Sequence, residues 1–333
     1  MDKTNYIIEK EPKYNIPTEE LLGKFPIAFE TPVTTDLEKK IQNRLLNGFN
    51  TYNLGYDAWK DWGNVLYYPG SIYNVNSVRL ILEEYQLSQK NMLGTDDIQL
   101  FPFKHMIISG EWTAIQYATT HNNRQTGKVE VFPVMEFVRF GDHGEKGAKV
   151  EEGWGGVRYA FRYDFLRQFQ NAEEKKRQDS YIEGIINTIL PETDNLDTKY
   201  PIFYPTLVHT PAAQKMKMAI LRDFDHWNKG YAVWVEWSGN FLAPEFKYYA
   251  PDGRILDREG TKADVKATFD KEQVRRVFIE HLIVSGDYAG IHYWSVVKRN
   301  DGFTFATDTM QIMHFVEEGG TCLADQCWLT QEV

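Results

Sequence analysis

The chain of 333 residues has only two cysteines, Cys322 and Cys327, spaced C-x4-C. That is too few for a disulfide framework and the wrong spacing for a zinc module, so the core must hold the fold and both thiols are expected inside it. Positive charge is also short. Against 47 acidic residues stand 37 lysines and arginines, a formal charge of -10, which argues against nucleic acid or an anionic membrane surface as partner. No run approaches the roughly 18 apolar residues of a membrane span, and the charged first twenty residues lack the apolar stretch of a secretory signal. A cytoplasmic protein is the expectation. Missing too are a glycine-rich phosphate loop, a G-x-G-x-x-G turn, an H-E-x-x-H helix and a G-x-S-x-G elbow, so the chemistries that those motifs carry are set aside.

What the chain has in excess is aromatic side chains. Its 9 Trp, 19 Tyr and 20 Phe exceed the needs of a plain core, and some of these rings are expected to line a cavity. The length suits two domains, each large enough for its own core.

An internal repeat organises the sequence. Asn53-Leu54-Gly55-Tyr56 followed by Trp59 and Trp62 matches Asn228-Lys229-Gly230-Tyr231 followed by Trp234 and Trp237 at identical spacing. Further on, the run from His105 through Ser109-Gly110 to Ile115-Gln116-Tyr117 matches that from His281 through Ser285-Gly286 to Ile291-His292-Tyr293. A looser match sets Thr126 to Phe140 beside Asp301 to Phe315. Each half therefore carries one unit. Leu37, Ile41, Leu45, Phe49 and Tyr52 recur at helical spacing, as do Met218, Leu221 and Phe224, whereas the later blocks read as strands with Ser-Gly and Asn-Asp-Gly turns. Helices first and antiparallel strands after make an α+β protein. The boundaries are a proline-rich arm over residues 1–34 that includes Pro12, a first domain over 35–157, a linker with its own helix over 158–211, and a second domain over 212–333.

The strand grammar, with closing segments ending in Phe137-Val138-Arg139-Phe140 and, in the second unit, running from Asp308 to Phe315, resembles SnoaL-like members of the NTF2-like superfamily over about 35–157 and 212–330. The resemblance implies two cone domains, helices packed on a strongly curved, mostly antiparallel sheet, with acid-base side chains in an apolar pocket and neither cofactor nor metal. Relatives include polyketide cyclases, ketosteroid isomerases, scytalone dehydratase and epoxide hydrolases, as well as non-catalytic binding modules. The fold does not choose among them.

In the second unit, Arg299-Asn300-Asp301-Gly302-Phe303 suits a three-residue hairpin loop with Gly302 in the left-handed region. Counting back pairs Trp294 with Asp308 and His292 with Met310, so these four share a face, with His292 and Asp308 on a cross-strand diagonal. Asp308 occupies the place that resembles the catalytic aspartate of SnoaL-type cyclases. An aspartate inside an apolar strand invites a raised pKa, with His292 as second acid-base group and Tyr249 as hydrogen-bond donor. Tyr288 and His281, with Gln116 and Trp112 from the first unit, join Trp294 and Met310 as expected pocket walls. The alternative is that His292 and Asp308 bond each other and hold the sheet. At the matched positions the first unit has Gln116 and Pro133, so that copy is expected to be structural or ligand-binding only. His105 and His281 read as a shared structural pair, His121 as either a solvated loop residue or a group at a pocket mouth, and the tryptophan pairs as packing.

Three functions fit: a cofactor-independent isomerase, dehydratase or aldol-type cyclase acting on a small apolar or polycyclic molecule; a binding module for such a molecule; or a scaffold whose cones form an intramolecular pseudo-dimer.

Overall fold

The computed structural model describes residues 15–100, 103–157, 162–205, 208 and 210–331. The first unit runs α1 (Thr18–Lys24), β1 (Phe29–Glu30), α2 (Asp36–Asn53), α3 (Tyr56–Leu66), β2 (Tyr67–Val75), β3 (Val78–Ile81), α4 (Leu82–Thr95) and β4 (Asp96–Leu100). It continues with β5 (His105–Ser109), β6 (Trp112–Asn123), β7 (Val129–Asp142) and β8 (Ala148–Val157). Helices α5 (Arg162–Arg167) and α6 (Ala172–Asn187) lead into the second unit: α7 (Leu196–Lys199), β9 (Tyr204–Pro205), α8 (Pro211–Asn228), α9 (Tyr231–Trp237), β10 (Leu242–Tyr249), β11 (Ile255–Asp257), α10 (Arg258–Phe269), β12 (Glu272–Ser285), β13 (Tyr288–Arg299), β14 (Thr304–Glu318) and β15 (Thr321–Gln331).

Each unit builds one mixed sheet, and the strand order is the same in both: β1-β5-β6-β7-β8-β2-β3 and β9-β12-β13-β14-β15-β10-β11. Strand β4 pairs the far end of β6, as the first half of β12 pairs the far end of β13. The segments expected as arm and linker each contribute a strand to a sheet. Each ends in a short helix and a two-residue strand that joins its sheet in parallel, Phe29 opposite His105 and Tyr204 opposite His281. Residues 1–14 of the expected arm, Pro12 included, and 158–161 of the linker lie outside the described residues.

The repeat signature has a local cause. Gly55 and Gly230 take φ of 102° and 101°, a region costly for any side chain, and so let α2 break into α3 and α8 into α9. The signature asparagine then ties the helix end to the sheet. Asn53 accepts from the Leu100 amide at 2.6 Å and donates to its carbonyl at 3.0 Å; Asn228 does the same to Val277 at 2.8 and 3.3 Å. Thr35 and Thr210 cap the long helices that follow.

Strand alternation gives each sheet two buried faces. One is covered by the unit's own helices and holds its own apolar cluster, around Phe49, Trp59 and Tyr117 in the first unit and Phe224, Trp234 and Phe246 in the second. The other faces the neighbouring sheet through Trp112, Ala114, Phe137 and Trp154 on one side and Met310, Ile312 and Trp328 on the other. Matched residues contact each other's partners across this layer. His105 lies 4.1 Å from Trp328 and His281 4.0 Å from Trp154, ring centre to ring centre; Phe29 lies 5.8 Å from Trp328 and Tyr204 5.4 Å from Trp154.

Candidate functional site

The expected hairpin forms with the register counted from its turn. Gly302 has φ of 88°, the Arg299 amide donates to the Phe303 carbonyl at 2.9 Å, and Trp294 pairs Asp308 while His292 pairs Met310. The shared face, however, is covered, Met310 by the other sheet and Trp294 by Tyr181 and Ile185 of α6. His292 donates through Nε2 directly to Asp308, and Phe137 of the first unit lies 5.8 Å from its ring. Asp308, His292, Tyr249, Trp294, Met310, Tyr288, His281, Gln116 and Trp112 are all absent from the walls of the two interior cavities. Their side chains are packed against neighbours: Tyr249 stacks on Trp328 at 5.1 Å, Gln116 bonds His105 at 2.8 Å, and Trp294 donates to Glu280 at 2.6 Å.

The buried polar chain between the sheets is electrostatically self-consistent. A bulge between Ile279 and His281 puts Glu280 and His281 on one side. Burial, with the neighbouring charge of His292, holds His281 far below the usual histidine range. It is neutral and accepts at Nδ1 from His292 Nδ1, 2.7 Å away. Burial pulls His292 down as well, but Asp308 and then Glu280 outweigh it and its pKa is raised. Glu280, His281 and His292 bring potential metal-ligand atoms within 4.8 Å of one another. The 2.7 Å between the two Nδ1 atoms is shorter than the roughly 3.3 Å that a tetrahedral ion with about 2.0 Å bonds would impose. The geometry is that of a shared proton.

The helix-covered faces hold the cavities. That of the second unit, about 200 Å³, is lined by Trp227, Trp234, Tyr248, Tyr293, Gln311 and Cys327 among others, with Asp223 and Arg275 in its wall. Asp223 is half-buried and one oxygen accepts from Trp234 Nε1 at 2.9 Å. Burial pushes its carboxyl up to about 7, against the pull of that bond. Burial likewise raises the Tyr248 and Tyr293 hydroxyls and the Cys327 thiol, keeping all three protonated. The first unit's cavity is smaller, about 90 Å³, and ringed by tyrosines around Glu136. Tyr117 donates to one oxygen of Glu136 at 2.7 Å and Tyr73 to the other at 2.9 Å. Burial raises the Glu136 pKa against both bonds. His121 does line this cavity, bonded to Asp96 at 3.3 Å. Trp59 and Trp234 line cavities too, whereas Trp62 packs with its Nε1 on the Arg44 carbonyl.

No protein-family model matches the chain, and no curated protein matches its sequence. Solved structures do. A candidate SnoaL-like polyketide cyclase from Jannaschia sp. CCS1 is 15% identical over 37% of this chain and 89% of its own, with a TM-score of 0.32. An NTF2-like protein of unknown function from Exiguobacterium sp. 255-15 is 17% identical over 34% and 97%, TM-score 0.30. BvnE pinacolase from Penicillium brevicompactum is 12% identical over 38% and 88%, TM-score 0.32. Each spans about a third of this chain, near the length of one unit. Each unit is itself an α+β fold, helices packed on one mixed sheet.

Two interior acids escaped the sequence reading. Glu136 sits between Val134 and Val138 on the inward phase of β7, an acid at an apolar alternation position and therefore a visible signal. Asp223 lies next to Phe224 on α8, where the first cone has Gly48, so no match between the cones drew attention to it.

Proposed function

We propose that each cone is a separate small-molecule pocket, and that the second moves a proton on a small, largely apolar carbonyl compound through Asp223. The carrying observation is a carboxyl pushed up to about 7 in the wall of an aromatic cavity of about 200 Å³. A base titrating near neutral pH combines a useful ionised fraction with proton affinity. Asp223 takes the proton from the carbon next to the carbonyl, Tyr248 or Tyr293 donates a hydrogen bond to the oxygen as it gains charge, and the proton returns to another carbon or to a leaving hydroxyl. The outcome is isomerisation or dehydration. This role replaces the one expected of Asp308, His292 and Tyr249.

The test follows exchange of α-hydrogens for deuterium by NMR in a panel of cyclic ketones and enones. The parent chain is expected to accelerate exchange with a pH midpoint near 7, and Asp223→Asn to lose about 100-fold, the usual size of a general-base contribution. Compounds that bind and quench Trp227 and Trp234 fluorescence without exchange would leave a binding module. Neither binding nor exchange would remove the proposal.

A second reading concerns the layer between the sheets. Its reciprocal contacts support an internal pseudo-dimer, the isologous contact that two separate subunits would otherwise make.

A further inference from the structure

The first cone offers a different chemistry from the second. Its interior acid, Glu136, has both oxygens held by neutral hydroxyls, Tyr117 at 2.7 Å and Tyr73 at 2.9 Å. Among the described residues neither lysine nor arginine lines its cavity, and the histidine there, His121, is bonded to Asp96. Burial raises the Glu136 pKa because its ionised form has no counter-charge among the described residues, and buried charges are normally paired, so a cation in the cavity would favour that form.

The fold itself does not require a charge at this position. Tyr117 and Glu136 on β6 and β7 correspond in register to Tyr293 and Gln311 on β13 and β14, so the second cone fills the same site with a neutral amide. What surrounds Glu136 is a set of electron-rich rings meeting at steep angles. Tyr73 stacks on Tyr85 at 4.4 Å, and Trp59 stands at 77° to Tyr85 and 69° to Tyr67. Aromatic walls at near right angles around a negative group are the arrangement that recognises quaternary and alkylated ammonium ions, through the ring quadrupoles and the charge together.

We propose that the first cone is a receptor for a small organic ammonium ion, seated among Trp59, Tyr67, Tyr73 and Tyr85 with Glu136 as its counter-ion. The ion supplies the missing positive charge, and the hydroxyls of Tyr73 and Tyr117 keep the carboxylate aimed at it.

The experiment titrates the full chain at pH 7.5 with tetramethylammonium and with choline, at constant ionic strength, against 3,3-dimethyl-1-butanol, which has choline's shape without its charge. Calorimetry and the fluorescence of Trp59 read the binding. Saturable binding of both cations, at least 10-fold tighter than the alcohol, is expected. Glu136→Gln should abolish that preference while still melting cooperatively. Should that variant not fold, the pair Tyr85→Phe and Tyr85→Leu serves: the phenylalanine keeps cation binding within about 2-fold, the leucine loses about 10-fold. Asp223→Asn is expected to change none of this, which separates the present claim from the reactivity assigned to the second cone. Equal binding of cation and alcohol, unchanged cation affinity in Glu136→Gln, or no binding of any probe would each overturn it.

Discussion

Asp308 and His292 show how far single residues can be read. Their pairing was legible because a three-residue loop fixes the register of a hairpin, and register fixes which side chains are neighbours. Which face the helices would cover was not legible, since both faces of β13 and β14 carry apolar residues. In the folded chain the pair is a buried ion pair, with both side chains at 7% exposure or less. Removing one partner of such a pair strands the other charge, so Asp308→Asn is expected to cost about 3–5 kcal/mol in urea unfolding. The pH dependence follows from His292. Its folded pKa is raised above the unfolded value of about 6.5, so its contribution is complete below that value and is lost as pH rises through the folded one. The variant should flatten this slope while leaving ligand binding in both cones unchanged. Unaltered stability between pH 5 and 9 would show that His292 carries no charge between the sheets.

The repeated elements were the most legible part of the chain, because each matched residue does a job that the backbone cannot do alone. Gly55 and Gly230 supply a positive φ, and Asn53 and Asn228 give one strand residue both of its missing hydrogen-bond partners. The short strands β1 and β9 were missed for the opposite reason. Two-residue strands beside prolines carry no periodicity; parallel pairing to β5 and β12 places them, with Phe29 stacked on His105 and Tyr204 on His281. The asparagine tie makes a local prediction. Asn228→Ala leaves the buried Val277 amide and carbonyl unpaired and should cost about 1–3 kcal/mol. Faster hydrogen exchange at Val277, with the strand β14 unchanged, would locate the loss at the junction of α8 and β12; exchange as slow as in the parent would assign the tie no energetic role.

At the scale of the whole molecule the cavities lie on the helix-covered face of each sheet and the opposite faces share one apolar layer. That layer is tight enough to be tested by moving one methyl group across it. A Cβ placed on Gly290 would lie 2.5 Å from the Cβ of Ala114 and 3.2 Å from the Phe137 ring. Gly290 and Ala114 hold matched places in β13 and β6, so the two cones touch here through the same position of the repeat. Gly290→Ala must therefore push the sheets apart and is expected to destabilise by about 1–3 kcal/mol, the usual cost of overpacking. Adding Ala114→Gly opens space for the new methyl, so the double variant should be more stable than the Gly290→Ala variant, with a coupling of about 1 kcal/mol or more in a double-mutant cycle. Recovery stays incomplete, because Phe137 still presses on residue 290. Strictly additive effects would mean that the two sheets do not meet at this point, and the proposed pseudo-dimer would lose this contact.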